Sequence, residues 1–148
     1  MVSGREGKLP PSFSTGRDKQ VIVCYSPQTP RLALAQLINV TAYIWIQPPE
    51  RAKEVTLEFG FTYNGLYYMI GNETFPVNER GVYYAQYDIK YANWTDEYGV
   101  GIVPEGSVFS LKVTVTWIYP DIHKWGTVFL FYGGSRASRI ELGAEVVG

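Results

Sequence analysis

Residues 107–119, SVFSLKVTVTWIY, constrain the fold of this chain more than any other stretch. Phe109, Leu111, Val113, Val115, Trp117 and Tyr119 fall on one side of an extended backbone. Ser110, Lys112, Thr114 and Thr116 fall on the other, because strand side chains alternate with a period of two. One face in a core and one in water is the pattern of an antiparallel sheet. The run is longer than the ~3–10 residues usual for a strand, which predicts a bend, a bulge or service in two sheets.

The strongest local signal is a hairpin. Residues 55–63 and 66–70 flank Asn64-Gly65, a pair suited to a turn whose two residues both need positive φ. A two-residue loop sets Tyr63 opposite Leu66, Phe61 opposite Tyr68 and Phe59 opposite Ile70, on one face with Leu57 and Val55. Gly60 and Thr62 then meet Met69 and Tyr67 on the other face. Turn chemistry and hydrophobic pattern agree on a single register.

Other strands read more simply. Val21, Val23 and Tyr25 oppose Ile22 and Cys24 in a strand apolar on both faces, closed by Pro27 and Pro30. Residues 31–37 suit a helix or a strand and lean to extended. Ile38 to Ile46 alternate clearly until Pro48-Pro49. Residues 71–81 read as a polar connection with a short strand near 74–77, and 82–91 as a strand. Val100 and Ile102 begin another, residues 126–132 form a central one, and 138–142 the last. With no convincing helix and turn signals every ~8–12 residues, the expected fold is all-β. It is an antiparallel β-sandwich of eight or nine strands with jelly-roll or immunoglobulin-like topology.

Residues 1–18, rich in Gly, Pro and Ser with little apolar periodicity, are expected to form a flexible N-terminal arm before a single domain at 19–148. Leu9-Pro10-Pro11-Ser12-Phe13 is the arm's one apolar cluster. The arm is read either as a disordered leader or as a segment that docks on a second copy. Self-association through it or through edge strands is accordingly an expected partner mode.

Composition narrows the function. Hydrophobic residues are 46% of the chain and aromatics 16%, twelve of them Tyr, which supports a β core. Net charge is −1 with no basic stripe, so no nucleic-acid partner is expected. Charged residues are only 18%, so surface polarity comes from Thr, Ser, Asn, Gln and Tyr, as exported proteins are often made. No stretch approaches the ~18–20 apolar residues of a membrane span, and the start lacks the apolar segment of a signal peptide. Cys24 is alone, which rules out an intrachain disulfide.

No catalytic set stands out. His123 is the single histidine and accompanies no nucleophile elbow. One His and one Cys far apart leave a tetrahedral metal site unfilled. Asp88, Asp96, Glu97 and Asp121 are the candidates for a glycosidase carboxylate pair, which needs no fixed spacing. Asn93, Asp96 and Glu97 offer hard oxygen ligands for calcium, at a spacing that matches no established loop. No cofactor is expected.

Sequons are the unusual feature. Asn39-Val40-Thr41, Asn72-Glu73-Thr74 and Asn93-Trp94-Thr95 all fit the N-glycosylation pattern, three among only five asparagines. Tyr43, Trp45, Trp94 and Trp125 are the aromatics read as candidates for stacking on a ligand. The expected role is a non-catalytic structural or protein-interaction module at a cell surface or outside the cytoplasm. A carbohydrate-binding module that meets a surface polysaccharide is the second reading, and an intracellular protein or small hydrolase the third.

Overall fold

The computed structural model describes residues 7–9, 12–13, 19–47, 51–77, 81–88, 101–118, 127–132 and 138–147. Eleven strands and no α-helix occur among them. They are β1 (Gly7–Leu9), β2 (Ser12–Phe13), β3 (Lys19–Gln28), β4 (Leu32–Gln47), β5 (Ala52–Tyr63) and β6 (Leu66–Pro76). Then follow β7 (Gly81–Asp88), β8 (Gly101–Val103), β9 (Val108–Trp117), β10 (Thr127–Tyr132) and β11 (Arg139–Val146).

Two antiparallel sheets make a β-sandwich, as the alternation requires. The first has six strands around β4. Val40 pairs with Ile140 and Ala85 at once, and Ile44 with Leu130 and Gly81. So β10 and β11 share one edge of β4, β7 takes the other, and β8 joins near Leu32 on the β7 side. β1 extends this sheet beyond β10. The second sheet runs β2-β3-β9-β5-β6. Most connections carry the chain from one sheet to the other.

Alternation decides what lies between the sheets. Ile38, Val40, Ala42, Ile44 and Ile46 of β4 are buried, facing Leu57 and Phe59 of β5 and Leu111, Val113 and Val115 of β9. Each such large side chain contributes ~1.5–3 kcal/mol before ordering costs. Tyr87 of β7 reaches across the core and donates its hydroxyl to the Leu57 carbonyl at 2.8 Å. Gly71 of β6 leaves room for that ring, since a Cβ there would lie 2.4 Å from Tyr87 Cδ1.

Irregular points are closed by serines. Where β10 gives way to β11 along β4, the Tyr43 N–H donates to Ser138 Oγ at 2.9 Å. Pro27 breaks the β3–β9 ladder between Tyr25 and Gln28, and the Phe109 N–H donates instead to Ser26 Oγ at 2.9 Å. Gly106, at φ +87°, turns the chain into β9.

Several expectations are corrected. β9 does not serve two sheets. It is central to one, and the irregularities fall on its partners, between Tyr25 and Gln28 and between Ala52 and Glu54. The hairpin register holds from Tyr63↔Leu66 to Gly60↔Met69, but Phe59 then pairs with Gly71 rather than Ile70. A bulge there inserts Ile70 as an extra inward residue. Asn64 and Gly65 take positive φ, 51° and 76°, as the turn demands. β6 runs through to Pro76, so the polar stretch after Gly71 is an edge strand and not a loop. The ambiguous residues 31–37 are strand, continuous with the rest of β4. Within residues 1–18, expected as a flexible arm, β1 and β2 pair with β10 and β3 on either side of Pro10-Pro11.

Candidate functional site

With the core faces fixed, the outward residues of the second sheet follow from parity. Read across β3, β9, β5 and β6, one row is Tyr25–Ser110–Gly60–Met69. The row beside it is Val23–Lys112–Glu58–Asn72, and a third is Val21–Thr114–Thr56–Thr74. Thr56 and Thr74 join hydroxyls at 2.9 Å. This is a four-strand face of hydroxyls, small apolar groups and balanced charge.

Tyr67 lies across it. Its partner on β5 is Thr62, yet its phenol oxygen reaches Glu58 and donates to Oε2 at 3.0 Å. Ser110, paired with Gly60, lies beneath the same end of the ring and lowers its pKa, against the larger upward effects. A Cβ on Gly60 would stand 2.6 Å from the phenol oxygen and 2.7 Å from Cζ, so the phenol end rests one atomic contact above the strand. Only glycine leaves this space. The Tyr68 carbonyl lies 2.4 Å from the same point. Partial burial, then the Glu58 carboxylate, holds the Tyr67 phenol well above its ordinary range, so it remains a neutral donor. The residue is nevertheless 44% exposed, and Tyr25, across Ser110, is 65% exposed.

The residues singled out by sequence fall elsewhere. Tyr43 and Trp45 lie on the outer face of the first sheet, two apart on β4 and both half-buried. Asn39 shares that face and accepts a hydrogen bond from Gln86 Nε2 at 2.9 Å. Asn72 is exposed on β6, just past the bulge, with Nδ2 3.3 Å from the Met69 sulfur. Asp88 ends β7 opposite Leu37. Asn93, Trp94, Asp96, Glu97, Asp121, His123 and Trp125 lie outside the described residues. The structure therefore brings Tyr43, Trp45 and Asn39 onto one face and places Asn72 on the opposite one. Among the described residues no three of His, Cys, Asp and Glu stand together as metal ligands would. Cys24 is buried, and burial pushes its thiol up to about 11.

The sequence reading passed over Tyr67, Gly60 and Glu58. A signal was present: the turn places a glycine on the solvent face of the hairpin, diagonal to a tyrosine, where no core requirement accounts for either.

No protein-family model and no curated protein matches the chain. Solved structures do. An aminopeptidase from a marine sediment archaeon, Thaumarchaeota archaeon, superposes with a TM-score of 0.54 at 10% identity, over 86% of this chain and 26% of that one. A CocE/NonD family hydrolase from Staphylococcus aureus, SACOL2612, gives 0.46 at 7% identity, over 97% of this chain and 33% of that one. The chain thus spans about a quarter to a third of the length of these neighbours, and the first likeness is one of fold.

Proposed function

We propose that this chain is a non-catalytic β-sandwich module that works by binding a protein or polysaccharide outside the cytoplasm or at a cell surface. The observation that carries this reading is the outer face of the β2-β3-β9-β5-β6 sheet. It runs over four main strands and exposes two large amphipathic aromatics, Tyr25 and Tyr67, of the kind enriched at binding surfaces. The aminopeptidase whose fold it shares is matched over only 26% of its length, which fits a sandwich carried as one part of a larger chain. Low charge and the three sequons support the export half of the reading.

Two measurements test it. Material from its native host, if glycosylating, is expected to lose mass on enzymatic deglycosylation. The sugar is expected on exposed Asn72 rather than on Asn39, which lies between two flanking strands and is held by Gln86. An unmodified native mass removes the argument for export. The purified chain is also expected to leave a panel of chromogenic esters, aminoacyl anilides and glycosides unchanged. Turnover lost in a single Asp88, Asp121 or His123 variant would establish the hydrolase reading in its place.

A further inference from the structure

Resting on the binding-module reading, we infer that the Tyr67 ring, pinned over Gly60, is a stacking platform for a neutral glycan, with Tyr25 as its second contact. Three features of the platform fit a sugar. A pyranose presents a patch of C–H groups on each face and hydroxyls around its rim, so it needs a flat aromatic plane beside hydrogen-bonding groups. Tyr67 supplies the plane. Its phenol end rests on the Gly60 backbone, its hydroxyl is tied by Glu58, and the residue is 44% exposed to water. A ring already fixed in place loses little conformational freedom when a ligand stacks on it. The rim is present too, since Glu58, Lys112 and Asn72 occupy the adjacent row on the same face.

Charge separates a sugar from the other ligands that stack on aromatics. Nucleic-acid bases use the same kind of platform, but their binding sites add a cationic groove along the phosphates. Here Lys112 stands directly beside Glu58 in the ladder, so the two charges balance. A protein hot spot favours a fully desolvated pocket, whereas on this face Tyr25 is 65% and Tyr67 44% exposed. Spacing agrees as well. Tyr25 and Gly60 sit in one row with Ser110 between them, two interstrand spacings or about 10 Å apart, the span of a short oligosaccharide rather than of one ring.

The test is affinity electrophoresis of the whole chain in gels containing hydroxyethylcellulose, laminarin or galactomannan, with heparin and oligo(dT) as charged controls. Retardation by at least one neutral polysaccharide is expected, weakened about tenfold or more by Tyr67→Ala and less by Tyr25→Ala. Tyr67→Phe, which keeps the ring but loses its tether to Glu58, is expected to fall between wild type and Tyr67→Ala. Thermal melts identify any variant that has lost its fold, and for such a variant Glu58→Gln replaces it, expected to weaken binding by loosening the ring. Tyr43→Ala and Trp45→Ala, on the opposite sheet, are expected to bind as wild type. Retardation by none of the neutral glycans overturns the inference, as does binding that survives Tyr67→Ala. Retardation by heparin or oligo(dT) alone overturns it too. Binding lost in Trp45→Ala instead overturns this site while leaving the module reading intact, and that reading fails separately in the hydrolase panel.

Discussion

Substituting Gly71 by alanine should be one of the more damaging single-methyl changes in this protein. The new Cβ would sit 2.4 Å from Tyr87 Cδ1 and 2.7 Å from Cγ, inside van der Waals contact with a ring that is 6% exposed. Overpacking of this kind costs ~1–3 kcal/mol. If the ring swings away, its hydroxyl also leaves the Leu57 carbonyl, adding ~1–3 kcal/mol for a buried acceptor without its donor. Against this stands ~0.4–1 kcal/mol gained by restricting the unfolded chain. The net is ~2–4 kcal/mol. With a urea m-value of ~2 kcal/mol/M, the unfolding midpoint should fall by ~1–2 M. The decisive measurement is a double-mutant cycle with Tyr87→Ala. In that background the clash has gone, so Gly71→Ala should be neutral or slightly stabilising, a coupling of ~2 kcal/mol or more. Equal penalties in both backgrounds would show that Gly71 is not there to seat Tyr87.

Two further outcomes are expected. Cys24, Tyr67 and Tyr87 are all held in their neutral forms on folding, by burial first and, for the two phenols, by nearby carboxylates second. The folded state thus binds these protons more tightly than the unfolded one, so stability is intact below about pH 9 and declines as pH rises through about 11, which urea midpoints at about pH 8 and pH 10.5 should register. An unchanged midpoint refutes this. Ser138→Ala and Ser26→Ala each strip the acceptor from an interior backbone N–H, at Tyr43 and Phe109, and should cost ~1–3 kcal/mol by denaturation. Neutral substitutions would mean that water takes over both bonds.

Much of the fold was legible because two rules act locally. Alternation fixed the inward set of β9 and β4, and Asn64-Gly65 fixed the hairpin to within one bulge. That bulge lay out of reach because it answers a demand made across the sandwich: Gly71 must face Tyr87, whose place is set by β7 in the other sheet. The same limit hid the length of β6, whose Asn, Glu and Thr look like a loop until Phe75 is seen opposite Val55. For the candidate site, the sequence pointed to Tyr43 and Trp45 by their place on the less apolar face of β4. It missed Tyr67, whose interest lies in what its ring rests on.

The arm strands carry a consequence for the order of assembly. β1 pairs with Leu130–Tyr132, near the opposite end of the chain, while β2, just past two prolines, pairs with β3. β3 and β10 approach each other across the sandwich, so this short segment clasps both sheets on one side. Pairings between such distant residues carry the largest loop-closure cost and tend to form late. During synthesis the β1 half of the clasp must wait for β10 to emerge, whereas β2 can pair with β3 as soon as both are made. Held by so few ladder pairs, the clasp is also where the finished molecule should first come undone, well before the core lets go.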